Sequence, residues 1–221
     1  MSLPYVAPQI AASKLFRGSN QGPDVLTGRE QELAHLDAAW SGAEKKSIVT
    51  IVAWGGVGKT ALVAHWAATK LARTDKSGVI RYFDWSFYSQ GTRREGDAAG
   101  AAHAASADLF LTEALEFFGD ATLAASSSAA WHKGERLAQL VGQHRTLLIL
   151  DGLEPLQDGK TGELRDDGLC ALLRGLAADN RGLCLITTRQ HLPELAIWHQ
   201  TTAPEWDLAS LTDQAGATLL T

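Results

Sequence analysis

Cysteine is scarce in this sequence, with Cys170 and Cys184 alone among 221 residues and no CxxC or Cys/His ligand spacing. A disulfide scaffold is excluded and no zinc site is indicated; both thiols read as core fillers in a reducing compartment, so a cytoplasmic location is expected. A dominant charge is missing too, because 20 Lys+Arg stand against 25 Asp+Glu for a formal net charge of −5. No overall basic field calls for a nucleic-acid partner. No run approaches the roughly 18 consecutive apolar residues of a membrane helix, so no membrane span is expected. The opening MSLPYVAPQ has neither a basic nor an apolar export region. The seven histidines show no metal-ligand spacing. Proline is sparse, with three of its six copies inside residues 1–24 beside two glycines and few apolar clusters. That segment reads as an N-terminal arm or linker, and 25–221 as one domain long enough to bury a core without covalent staples.

What is present is an alternation of strand and helix patterns. Thr27 and Glu30 have capping-box spacing ahead of Leu33, Leu36 and Trp40, which predicts a helix over about 28–41. SIVTIVA (Ser47 to Ala53) reads as a buried strand, and Ala61 to Arg73 as a helix. A second strand is predicted over 79–88, ended by the polar SQGTRREGD. Helices are predicted at 108–118, between Ala/Ser-rich tracts at 98–107 and 121–130, and at 130–142. TLLIL (Thr146 to Leu150) and LCLIT (Leu183 to Thr187) are central-strand runs separated by a helix at 167–178, with a short strand near 201–207 and a helix from about 212. The predicted class is α/β, with a mostly parallel sheet covered by helices on both faces.

The first strand runs into AWGGVGKT, Ala53 to Thr60. Gly55, Gly56 and Gly58 let the backbone curl so that N–H groups converge on phosphate oxygens, and the helix that follows adds its positive end. Lys59 is placed to reach the β- and γ-phosphates and the Thr60 hydroxyl to ligate Mg²⁺, with Val57 and Ala61 completing the cradle. The pattern G-x-x-x-x-G-K-S/T has Gly where this chain has Ala53, which is harmless if φ stays negative there. LLILDGLE places Asp151 at the end of an apolar strand, where it would complete the metal site, and Glu154 three residues on, where it would polarise the attacking water. ITTR offers Arg189 as a γ-phosphate sensor and Thr188 as a further phosphate contact.

These pieces resemble, in order, the STAND class of P-loop NTPases, which includes NB-ARC and NACHT proteins. VLTGRE (Val25 to Glu30) resembles the hhGRE segment that packs against adenine. AWGGVGKT is similar to Walker A, YFDWSFYSQ (Tyr82 to Gln90) to the aromatic second strand, LLILDGLEPLQ to Walker B, and LCLITTR to the sensor-1 strand. WDLASLTDQAGATLL (Trp206 to Leu220) resembles the segment leading into the next helical subdomain. The resemblance implies a three-layer sandwich with a five-stranded sheet and the sensor strand between the P-loop and Walker B strands. It also implies ATP/ADP and Mg²⁺ as cofactors, Gly28 and Arg29 contributing mainly through backbone contacts to the base, slow hydrolysis, and nucleotide-controlled opening and self-assembly. Gly152 stands where NB-ARC proteins carry a second acid, so the arrangement is nearer the NACHT pattern and hydrolysis would rest on Glu154; AAA-type motors usually carry Asp-Glu at this pair. The helical and winged-helix subdomains expected downstream, and the effector and repeat domains of such proteins, would lie outside these residues. Two other readings share the P-loop: a small-molecule kinase using Arg93 and Arg94 in a lid, and an ADP-holding module without turnover.

Overall fold

The computed structural model describes residues 8–13, 15, 26, 28–42, 45–73, 78–88 and 99–210, without the side chains of 99–106. Among them are six parallel strands, β1 (Gln9–Ile10), β2 (Ile48–Val52), β3 (Arg81–Ser86), β4 (Thr146–Asp151), β5 (Leu183–Thr188) and β6 (Glu205–Asp207), in the spatial order β1-β3-β4-β5-β2-β6. The sensor strand β5 lies between β2 and β4, as the resemblance implies.

Every residue of β2, β4 and β5 is buried. Such strands carry no alternation of apolar and polar residues, because both of their faces are covered. Leu148, Leu150, Cys184 and Ile186 point to one layer with Phe83, Trp85, Phe110 and Leu172, whereas Leu147, Ile149, Leu183 and Leu185 point to the other with Leu36, Trp40, Leu62 and Trp66. The first layer is α3 (Ala99–Phe118), α5 (Ala130–Gly142) and α6 (Asp167–Ala178), with the short α4 (Ala121–Ala124); the second is α1 (Glu30–Ser41) and α2 (Lys59–Leu71). This is the three-layer sandwich.

Three departures from expectation have physical causes. The sheet has six strands, not five, because part of the supposed arm pairs with the edge of β3: Gln9 N–H donates to Ile80 O at 2.9 Å and Ala11 N–H to Tyr82 O at 3.0 Å. Asp84, buried at 2% exposure, accepts from Ser13, from the Leu15 N–H at 3.4 Å and from the Tyr82 hydroxyl at 2.7 Å, which ties the segment down. Helix α3 begins at Ala99 rather than near 108, since the alanines of the Ala/Ser-rich tract are strong helix formers. Helix α1 begins at Glu30 rather than at 28, with Arg29 at its N-cap and no side-chain cap hydrogen bond, so the expected capping box does not form: Glu30 is the first helical residue, and its carboxylate accepts from the Gly28 N–H at 3.1 Å; Thr27 lies outside the described residues. So do Val25, Arg93, Arg94 and the helix expected from about 212.

No helix among the described residues is long and apolar enough to cross a membrane, and they contain no cluster of three or more metal-ligating His, Cys, Asp or Glu.

Candidate phosphate-binding site

The connections leaving β2 and β4 run to opposite layers, and the turns at their carboxyl ends meet at one end of the sheet, where ligands of open parallel sheets bind. The turn after β2 depends on Gly56 and Gly58, with φ of 83° and 97°. Side chains rarely adopt these angles. No non-glycine among the described residues has positive φ, so Ala53 fits its place. Gly58 caps α2 without any side-chain hydrogen bond to the first-turn N–H groups, leaving their positive end uncapped.

Lys59 opens α2 and is 7% exposed. Its ammonium bends back to donate to Ala53 O at 2.7 Å and Trp54 O at 3.1 Å, bracing the loop. Burial pushes it below its ordinary pKa, an effect offset by Glu154 and Asp151 and reinforced by Arg189. Trp54 itself is 83% exposed.

Asp151 is 2% exposed and ends β4. Its Oδ1 accepts from Thr60 Oγ1 and Thr187 Oγ1, each at 2.7 Å, and Oδ2 from Ser86 Oγ at 3.3 Å. Gly152 N–H donates to Thr187 Oγ1 at 2.9 Å and holds the turn against β5. Glu154 forms an ion pair with Arg189 Nε at 2.7 Å and also accepts from Tyr88. Arg189 lies against the P-loop, where a Cβ on Gly55 would come within 3.3 Å of its guanidinium carbon.

The structure thus brings Lys59, Thr60, Asp151, Glu154, Arg189 and Gly55 together. Thr188 goes elsewhere: its hydroxyl donates to the buried Gln157, which donates to Gly162 O at 2.8 Å and His191 O at 2.9 Å. Successive strand residues face opposite sides, so Thr187 is the threonine that meets the acid. Arg29 is 3% exposed, and its side chain is engaged as well as its backbone. The guanidinium donates to Val57 O of the P-loop at 3.0 Å, Ala209 O at 2.9 Å and Glu32 at 2.7 Å. Glu32 and Ala209 also line an open cleft of about 640 Å³ between α1 and β6, together with His35, Leu36, Leu62 and Trp206.

Sequence reasoning missed Thr187, Ser86, Tyr88 and Gln157. Strand register accounts for two of them, since Ser86 is paired with Asp151, and Leu150 with Ile186, which makes Thr187 the neighbour of Asp151 across the adjoining strand. Nothing in the chain pointed to Tyr88 or Gln157.

A glycine turn between a central strand and a helix, with the following Thr joined to an acid two strands away across β5, decides the class. The chain has a P-loop NTPase fold. The ORC1 protein of Aeropyrum pernix, solved in complex with DNA, is similar with a TM-score of 0.56 and 20% identity, over 90% of this chain and 49% of that one. The ORC2 protein of the same organism, solved as ADPNP-ADP complexes, has a TM-score of 0.54 and 16% identity, over 93% of this chain and 54% of that one. A STAND protein with a tetratricopeptide repeat sensor from Pyrococcus horikoshii matches at a TM-score of 0.49 and 18% identity, over 87% of this chain and 24% of that one. At these identities the P-loop likeness concerns the fold alone, and this chain spans about half the length of the two Aeropyrum proteins. No family model matches the sequence, and no curated protein is found similar to it.

Proposed function

We propose that this P-loop domain binds adenine nucleotide and acts as a nucleotide-controlled switch of the STAND kind, hydrolysing ATP slowly. The observation that carries the reading is the Thr60–Asp151 contact at 2.7 Å beside a buried Lys59 and an uncapped helix start. Phosphate would take over the Lys59 ammonium from Ala53 O and Trp54 O, and would meet the first-turn N–H groups of α2 and the half-exposed Arg189. A hydroxyl and a carboxylate joined in this way form the hard oxygen set that Mg²⁺ prefers, so Thr60 and Asp151 would hold it. When bound, the ion neutralises charge on the β- and γ-phosphate oxygens. The cleft beside Arg29 would take the base, in keeping with the hhGRE resemblance.

In the hydrolytic step the water oxygen bonds to the γ-phosphorus, the bond from that phosphorus to the β–γ bridging oxygen breaks with its electron pair leaving on ADP, and the proton of water passes to Glu154. Glu154→Gln keeps the shape and removes the acceptor. ATP should then still bind while single-turnover hydrolysis falls by about 100-fold. An unchanged rate would exclude Glu154 as the acceptor and favour an ADP-holding module without turnover at this site. Self-assembly and the coupling of nucleotide state to further domains belong to the same proposal and rest on the STAND resemblance.

A further inference from the structure

Tyr88 stands two residues beyond β3 and touches three parts of the site. Its hydroxyl donates to Glu154 Oε1, the oxygen that also receives Arg189 Nε at 2.7 Å. Its ring covers Gly152 so closely that a Cβ there would lie 2.1 Å from Tyr88 Cε2. The Arg189 guanidinium carbon sits 5.8 Å from the ring centroid. The second oxygen of Glu154, Oε2, is buried and has no hydrogen-bond partner among the described residues.

Both donors therefore converge on one oxygen and leave the other, buried oxygen without a donor. They differ in what phosphate would do to them. Arg189 is a long, half-exposed cation against the P-loop, and a γ-phosphate competes with Glu154 for it. Tyr88 is packed on the Gly152 backbone and carries no charge to be drawn away. Once Arg189 turns to phosphate, the Tyr88 hydroxyl is the donor that still orients the carboxylate.

We propose that Tyr88 is a positioning residue for hydrolysis, fixing Glu154 through Oε1 so that Oε2 is the oxygen that takes the proton from water. This rests on the reading of Glu154 as proton acceptor. Tyr88→Phe tests it in the 221-residue chain, because the ring that covers Gly152 is kept and only the hydroxyl is lost. Single-turnover hydrolysis of magnesium-ATP should fall by about tenfold, and the Kd for ATP should stay within about twofold. In a Glu154→Gln background the same substitution should change the rate by less than about twofold, because the group it positions is gone. A rate that is equal or faster in Tyr88→Phe, or that falls as far in the Glu154→Gln background, overturns the role of Tyr88 while leaving the hydrolytic reading intact. A wild-type chain that binds ATP and never hydrolyses it overturns both.

Discussion

Asp151 shows how one buried carboxylate is held in place by neighbouring hydroxyls. Three hydroxyls, from Thr60, Thr187 and Ser86, point at its two oxygens, which compensates for burial without committing a fixed cation. Hydroxyls rotate, so Thr60 could exchange this bond for a metal under the proposed function. One residue further, Gly152 is required twice over, by a φ of 72° and by the Tyr88 ring at 2.1 Å from any Cβ. Gly152→Ala should therefore destabilise the domain by about 2–4 kcal/mol, or about 5–15 °C in Tm for a chain of this size. Thermal unfolding followed by circular dichroism checks this; a Tm within about 1 °C of wild type would show that neither the positive φ nor the Tyr88 ring constrains this position. From the sequence, Gly152 reads as a departure from the acidic pair of NB-ARC proteins. The structure gives it a steric reason.

Among the elements, β1 adds what was not expected. A two-residue strand in a proline-bearing segment has no periodicity to reveal it, and its cause lies in its partner: the open edge of β3 and the buried Asp84, which needs donors. Helices α5 and α6, by contrast, lie at Ala130–Gly142 and Asp167–Ala178, as the periodicity predicts, because their apolar stripes are strong. Strands β2, β4 and β5 were legible as short unbroken apolar runs because both of their faces are buried. The P-loop was readable because its chemistry sits in consecutive residues. Thr187, Ser86 and Tyr88 were not, because their relation to Asp151 and Glu154 exists only once strands are side by side. Removing residues 1–13 takes away β1 and the Ser13 donor to Asp84, and should lower stability by about 1–3 kcal/mol and Tm by about 3–10 °C. ADP affinity should stay within about twofold, since β1 lies at the edge of the sheet with β3, β4 and β5 between it and β2. An unchanged Tm would show that the sixth strand contributes nothing to the sheet.

At the scale of the whole molecule, the strand order places the P-loop turn and the Asp151 turn on either side of β5 at one end of the sheet, and the layers behind them are filled by two separate apolar cores. The site thus rests on rigid strands, while its movable parts are the tips of side chains: the Lys59 ammonium, the Arg189 guanidinium and the Thr60 hydroxyl. Each is held by a protein acceptor, Lys59 by loop carbonyls, Arg189 by Glu154 and Thr60 by Asp151. Nucleotide would exchange these partners without rebuilding the fold. The most direct measurement is an equilibrium titration of ADP and of magnesium-ATP into the purified chain and into its Lys59→Ala variant. Saturable binding to the wild-type chain is expected, with an affinity lower by about 10- to 100-fold in the variant, the loss of one charged hydrogen-bonding group. Absence of binding to the wild-type chain, or equal affinity in the two proteins, would contradict it.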